Sequence, residues 1–502
     1  MLLAVNTQIF VWSFIAYTLA VVAVGVYSSR FAKQSDEDFF LAGRSLGKWV
    51  GALSASASSE SGWVTLGLVG MGFVTGVQAY WMVPGCVLGY TFNWLVLAEP
   101  LRRRSAELGS LTLPDFFSQH FRERLPILRV LTVLVIVVAM MLYVSAQFAA
   151  AGKSFAAAFE PTITRRSGLL IGAAIVLFYT VSGGFRAACW TDLLQALLML
   201  VVLVAFPIYA LYGQGGLGTV LETLRAHDPE LVEFMPEKSG WALVGFLFSS
   251  SGLGINFGYP GQPHVLVRFM ALKDKREARM GAIIAISWVA LVLSGAVTAG
   301  MAVRALALGG TDWAQSLLGG DGETALVMGS MHLLPGVLAG MALAAVLAAI
   351  CSTADSQLVV AASAVANDIY AHLIAKKPGQ NHAWFNRLVV FGIGACAILM
   401  VIGKKVQVFD LVLDYGWAVL GAAFGPQLIL VLLWRRATYV GCVGGMLTGF
   451  ATPILWQELY NKTHVGEEVY NLPVAFGLAL LVNVVLSLLT RSPSLDEMPE
   501  SA

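Results

Sequence analysis

Leu53-Ser-Ala-Ser-Ala-Ser-Ser-Glu-Ser-Gly-Trp63 sets a row of serine hydroxyls, a carboxylate and a glycine inside a long apolar stretch. A helix interrupted there bares backbone carbonyls. In a bilayer core, unpaired backbone is tolerated only where protein covers it or a watery cavity faces it, so this stretch reads as a built binding site. A counterpart lies five apolar stretches later, in Ser249-Ser-Ser-Gly-Leu-Gly-Ile-Asn-Phe-Gly-Tyr-Pro-Gly261. Two interrupted spans in corresponding positions of two halves point to a midplane site between inverted repeats.

The surrounding composition demands a membrane. Of 502 residues, 58% are hydrophobic and only 12% charged, against about a quarter charged in soluble domains. A net charge of +1 offers no footprint for nucleic acid, and the expected large partner is the lipid bilayer. Cys86, Cys189, Cys351, Cys396 and Cys442 stand singly, without metal-ligand or disulfide spacing, and read as small buried hydrophobes. The N-terminus lacks the charged region and cleavage site of a signal peptide, so the first apolar run is expected to stay as a span.

A window of about 20 residues finds about thirteen helices, an all-α membrane protein. The first runs over 8–28. Spans two to six cover 47–213 and spans seven to eleven cover 240–434, two groups of five that each open on an interrupted helix and enter the membrane from opposite sides. The last two spans fill 438–490, all within one transporter domain, and 491–502 is expected to be a disordered cytoplasmic tail. Most basic residues gather in loops of one side, from Arg30 to Lys48, Arg102 to Arg129, Arg186, Arg268 to Arg279, Lys376 to Arg387, Arg435, Arg436 and Arg491, while Glu222 to Glu237 and Glu458 to Glu468 mark the other. The positive-inside rule puts the C-terminus in the cytoplasm and the N-terminus outside. Residues 110–125 read as an amphipathic helix at the cytoplasmic surface, with Pro114 in its first turn.

Ionisable groups within spans cost some 2.5–3.5 kcal/mol each on insertion scales, so each needs a reason. They are Glu60 in the first interruption, Asp192, Asp355 and Asp414. Span nine gathers Ser352, Thr353, Asp355 and Ser356 within about one turn, and sodium prefers hard oxygen ligands. Carbonyls freed near Ala57 and Glu60 would complete a neutral five-ligand cage with these hydroxyls. A Ser or Thr can equally bond back to the preceding turn. Asp192, near the start of span six, reads by itself as a helix N-cap. Trp63, Tyr143 and Tyr259 read as core aromatics raised by their place beside the breaks.

Leu41-Ala-Gly-Arg-Ser-Leu-Gly47, Leu111-Thr-Leu-Pro-Asp-Phe-Phe117, Ser182-Gly-Gly-Phe185 with Trp190-Thr-Asp192, Gly261-Gln-Pro-His264 with Arg268-Phe-Met270, and Gly421-Ala-Ala-Phe-Gly-Pro426 resemble the sodium/solute symporter family, nearest its bacterial sodium/proline symporters. That resemblance implies a leucine-transporter-type 5+5 core and alternating access. It implies a main sodium site on the backbone oxygens of Ala57, Glu60 and Ala349 and the hydroxyls of Ser352 and Thr353. A second sodium, held in some members, would fall on Asp192, Ser352, Asp355 and Ser356, which turns Asp192 from cap toward ligand. Substrate contacts carry over to Ser61, Gly62, Trp63, Gly67, Tyr143, Tyr259 and Pro263. The family's proline transporters carry an aspartate where this chain has Ser59 and a tryptophan where it has Ile255.

These observations together lead to an expected sodium-coupled importer in the bacterial inner membrane, multi-pass, with proline the leading solute and another small carboxylate-bearing solute the alternative. Half-helix N-termini would face the solute's carboxylate. A proton-coupled variant using Glu60 is the nearest rival. A solute sensor is remote, because little chain follows the last span, and an enzyme is not expected, because no nucleophile–base pair or metal triad is visible.

Overall fold

The computed structural model describes residues 7–29, 36–159, 161–182, 184–236, 240–375, 383–404, 406–463 and 469–491. The expected tail from residue 492 and the loop holding Lys376 and Lys377 lie outside them. The described residues fold into helices, with a single isolated extended bridge between Leu46 and Leu272.

The chain opens with α1 (Thr7–Ser29). The first interrupted span follows as α2 (Lys48–Ser59), a break, a wide π turn over Trp63–Leu68, and α3 (Val69–Thr75). Next come α4 (Met82–Phe92), α5 (Ala98–Leu108), α6 (Leu113–His120), α7 (Ile127–Phe159), α8 (Arg165–Ser182), α9 (Phe185–Gly213) and α10 (Leu217–His227). The second interrupted span is α11 (Gly240–Leu247), a run of 3-10 turns over Leu253–Gly261, and α12 (Pro263–Met270). Beyond it lie α13 (Lys275–Leu308), α14 (Ala325–Leu333), α15 (Gly336–Ser363) and α16 (Ala383–Val401). A π turn over Leu411–Trp417 leads into α17 (Ala418–Leu433), and α18 (Tyr439–Leu455) packs on α19 (Asn471–Leu489).

Ten stretches among the described residues are long and apolar enough to cross a membrane. The thirteen expected spans differ from these at the interrupted helices, whose halves are short, and at α8. One stretch, Trp63–Leu108, joins the second half of the first interrupted span to the next span, α4 and α5.

Both interruptions sit inside the bundle. α2 packs on α9, α13 and α15, and α12 packs on α2, while the 3-10 run lies between α4 and α17. The 3-10 run is held close: a Cβ on Gly258 would fall 1.8 Å from Trp417 Nε1. Only glycine lets these two elements touch there.

Charged clasps fasten both ends of α7. At one end Arg129 pairs with Asp115 of α6 at 2.9 Å and with Asp368, and Asp368 accepts from Thr112 Oγ1 at 2.7 Å. Thr112 also caps α6 through the Asp115 N–H, and Leu113 to Ser118 are buried. The amphipathic helix expected at the surface is therefore narrower than 110–125 and seated in protein, because Asp115 supplies the counter-charge for Arg129. At the other end Lys153 pairs with Glu323 and with Asp321 at 2.9 Å. Glu323 also accepts the backbone N–H groups of Val408 and Phe409 at 3.2 and 3.0 Å.

Candidate functional site

The first break begins where α2 ends: Glu60 leaves helical geometry at φ −94°, ψ 80°. Groups freed by the break find partners on neighbouring helices. Gly62 N–H donates to Gln147 Oε1 at 3.1 Å, and Gln147 Nε2 donates to Ser61 Oγ at 3.2 Å. Ser61 Oγ lies 3.4 Å from the Tyr143 hydroxyl, and Trp63 Nε1 donates to Ser59 O at 3.3 Å. Gln147, unremarked in the sequence, is thus the α7 group that satisfies the break. Its signal was an amide inside an otherwise apolar run.

The carbonyls on the opposite flank meet α15. Ser352 Oγ donates to Ala57 O at 2.8 Å and to Ala349 O at 3.1 Å, and Thr353 Oγ1 donates to Ser58 O at 3.0 Å and lies 3.4 Å from Ala57 O. Four of the five expected sodium-site residues, Ala57, Ala349, Ser352 and Thr353, come together. Ser58 joins them with its carbonyl, which the sequence reading did not include. These are hard, mostly uncharged oxygens from two helices, suited to an alkali cation.

Glu60 turns its side chain elsewhere. Its Oε1 accepts from the Tyr259 hydroxyl at 3.0 Å and from Ser59 Oγ at 3.3 Å, with Tyr90 close by, so the carboxylate links the two interrupted spans. Tyr259 packs edge-on against Tyr90 and Trp417, with ring centroids 5.1 and 4.7 Å away. Trp417 Nε1 donates to Ile255 O at 3.2 Å. An indole from a different helix therefore stands against Ile255. Asn93 Nδ2 holds Tyr259 O at 2.8 Å, and Gln262 Nε2 holds Gly258 O at 3.0 Å. Ser61, Gly62, Trp63, Gly67, Tyr143, Ile255, Tyr259 and Pro263 are all buried. Gly67 lies beneath Phe409, and Pro263 opens α12 beside a small cavity lined by Phe40, Leu113 and Phe185.

Asp192 is not a cap. α9 starts at Phe185, so Asp192 lies two turns inside it, buried, because Gly184 begins the helix earlier than the apolar run suggests. It accepts from Ser54 Oγ at 2.7 Å, Ser58 Oγ at 3.3 Å and Arg268 Nη2 at 2.9 Å. Arg268 donates further to Ser356 Oγ at 2.5 Å and Ser54 Oγ at 3.0 Å, and it covers the Phe185 ring at 5.3 Å. The sequence reading had placed Arg268 in a basic loop. It is 0% exposed, because its short half-helix points the guanidinium inward at Asp192. Asp355 is buried beside Thr180, within electrostatic reach of Asp192 and Arg268. His264, also missed, is buried against Tyr143 and lies in reach of the Ser58 backbone.

Comparison with known proteins agrees with this arrangement. The model of the sodium:solute symporter family matches residues 39–449. The sodium/proline symporter of Escherichia coli (strain K12) is 33% identical, covering 98% of this chain and 95% of its own. The osmoregulated proline transporter OpuE of Bacillus subtilis (strain 168) is also 33% identical, with 95% and 94% covered. Among solved structures, a Na+-coupled sialic acid symporter in a substrate-bound outward-open state superposes with a TM-score of 0.75 at 18% identity, covering 96% of this chain and 98% of that one. Mhp1, a nucleobase-cation-symport-1 family transporter, superposes at 0.54 with 13% identity, covering 91% and 94%. The fold is that of the leucine-transporter-type sodium symporters.

Proposed function

The chain belongs to the sodium:solute symporter family, and from that premise we propose that it carries sodium and a small amino acid inward together, with proline the first candidate. It is a multi-pass membrane transporter and not an enzyme. The observation that carries the proposal is the contact of Ser352 Oγ with Ala57 O at 2.8 Å, which joins an unbroken helix to the end of a broken one through oxygens alone. Proline is supported by relatives named as proline transporters over nearly the whole chain.

In this reading sodium takes the backbone oxygens of Ala57, Glu60 and Ala349 and the hydroxyls of Ser352 and Thr353. The solute lies against Ser61, Gly62, Trp63, Gly67, Tyr143, Ile255, Tyr259 and Pro263. Sodium bound across the break stabilises the arrangement that accepts solute, a reciprocal coupling of about 1–3 kcal/mol. The membrane potential adds about 2.3 kcal/mol per charge per 100 mV. A second sodium at Asp192, Ser352, Asp355 and Ser356 would have to displace a guanidinium from Asp192 and Ser356. The contacts favour one sodium per solute.

The inverted repeats are assigned to about 47–213 and 240–434 within one domain, the N-terminus to the outside of a bacterial inner membrane and the C-terminus to the cytoplasm. Uptake of labelled proline into proteoliposomes, driven by an inward sodium gradient and absent when choline replaces sodium, tests the function. Uptake unaffected by that replacement would refute sodium coupling.

A further inference from the structure

Glu60 is a carboxylate at 0% exposure in the centre of the bundle, and it has no ion-pair partner among the described residues. Among the described residues the buried cations are committed elsewhere: Arg268 to Asp192, Lys153 to Glu323 and Asp321, Arg129 to Asp115 and Asp368, and Arg104 to Glu107. Hydroxyls alone hold Glu60, and they hold one oxygen, Oε1, through Tyr259 and Ser59. Oε2 has no partner. Around it lie the buried Tyr90 hydroxyl and Ser56 Oγ, with Tyr90 in reach of Glu60, Ser56 and Ser59. A buried carboxylate left this way carries a desolvation cost that hydroxyl contacts offset only in part. A proton offsets it by removing the charge, and a cationic group offsets it while also bringing donors to the free acceptor.

We propose that Glu60 is the receptor for the solute's ammonium nitrogen, so that the transported class is zwitterionic amino and imino acids, not simple carboxylates. The inference rests on the symport reading above and narrows it. Three features of position favour the solute over sodium as the occupant. Glu60 follows directly on the α2 terminus and precedes Ser61, and its Oε1 partner is Tyr259, so it touches candidate solute contacts on both broken spans. The oxygens suited to sodium lie on the other flank, where Ala57 and Ser58 meet Ser352 and Thr353. A protonated secondary amine brings two N–H donors, and Oε2 with the Tyr90 hydroxyl supplies two acceptors. A site that hydrogen-bonds a substrate nitrogen strongly rejects the analogue lacking it, because its buried polar groups then stay unpaired.

The test uses the full-length protein in proteoliposomes, measuring sodium-dependent uptake of radiolabelled proline, alanine, cyclopentanecarboxylate and propionate, a readout independent of the net charge carried. The wild type is expected to respond to the amino-bearing member of each pair at concentrations at least about 100-fold below its des-amino partner. Glu60→Gln is expected to raise the half-saturating amino-acid concentration by at least about 30-fold. Equal responses to both members of a pair in the wild type would overturn the proposal, and that measurement does not depend on the variant folding. A Glu60→Gln protein that keeps the amino preference but loses sodium affinity would overturn it too, returning the carboxylate to the cation. Silence of the wild type toward all four solutes would remove the premise, the symport of a small amino or carboxylic acid.

Discussion

Arg268 Nη2 lies 2.9 Å from Asp192 Oδ2, and both side chains are fully buried. This ion pair fastens α12, the second half of one interrupted span, to α9. Through Ser54 and Ser356 the same guanidinium reaches α2 and α15. Four helices converge on one cation.

Removing one partner of a buried pair strands the other. Arg268→Gln is expected to cost about 3–5 kcal/mol of stability, read as a lowered unfolding temperature of detergent-purified protein. Pairing it with Asp192→Asn should recover part of that loss, since the uncompensated carboxylate disappears. A double variant no more stable than the single one would contradict the pairing argument.

Ser352 and Thr353 hold the carbonyls of the first break. Ser352→Ala or Thr353→Ala is expected to raise the sodium concentration for half-maximal uptake by about tenfold or more, a loss of about 1.4 kcal/mol. Membrane insertion should stay intact, because either change removes one hydroxyl from a well-packed helix. Unaltered sodium dependence in both variants would exclude these hydroxyls as ligands.

Glu323 is expected to keep one face of the molecule shut. It takes the charge of Lys153 and two backbone N–H groups ahead of the π turn over Leu411–Trp417. Glu323→Gln should weaken that closure. In a background freed of the five native cysteines, a Phe409→Cys probe should then react with an impermeant maleimide about tenfold faster. An unchanged labelling rate would show that the clasp does not limit access.

Gly258 permits the 3-10 run to lie on Trp417. Gly258→Ala is expected to cost about 1–3 kcal/mol through overpacking and to lower the yield of monodisperse protein in fluorescence-detected size exclusion. Combining it with Trp417→Leu should restore the yield. If the single variant elutes like wild type, the close approach is looser than described.

The two interruptions were legible because serines, glycines and a carboxylate have no place in an apolar helix unless they meet something polar. Ser352, Thr353 and Ala57 followed by the same logic and lie together. Arg268 was misread because a charge at the end of a short apolar run looks like loop, and only the fold shows that the half-helix carrying it is driven against Asp192. Asp192 itself looked like a cap because hydropathy starts a helix at its first long apolar run, whereas α9 starts at Phe185. Lys153 and Glu323, distant in sequence, meet only when α7 and the segment ahead of α14 are brought together. Pairings of that kind leave no mark in a single sequence.

α7 carries a guanidinium near one end and an ammonium near the other, some 36 Å apart at 1.5 Å per residue, about the thickness of a bilayer's hydrocarbon. A stiff rod pinned by charge at both tips cannot swing about its middle and keep both pins seated. Both pins are seated at once here, so tilting the rod either way pulls on at least one of them. Reorienting this helix therefore means giving up at least one buried ion pair, so its span across the bilayer makes it a fixed post and not a hinge.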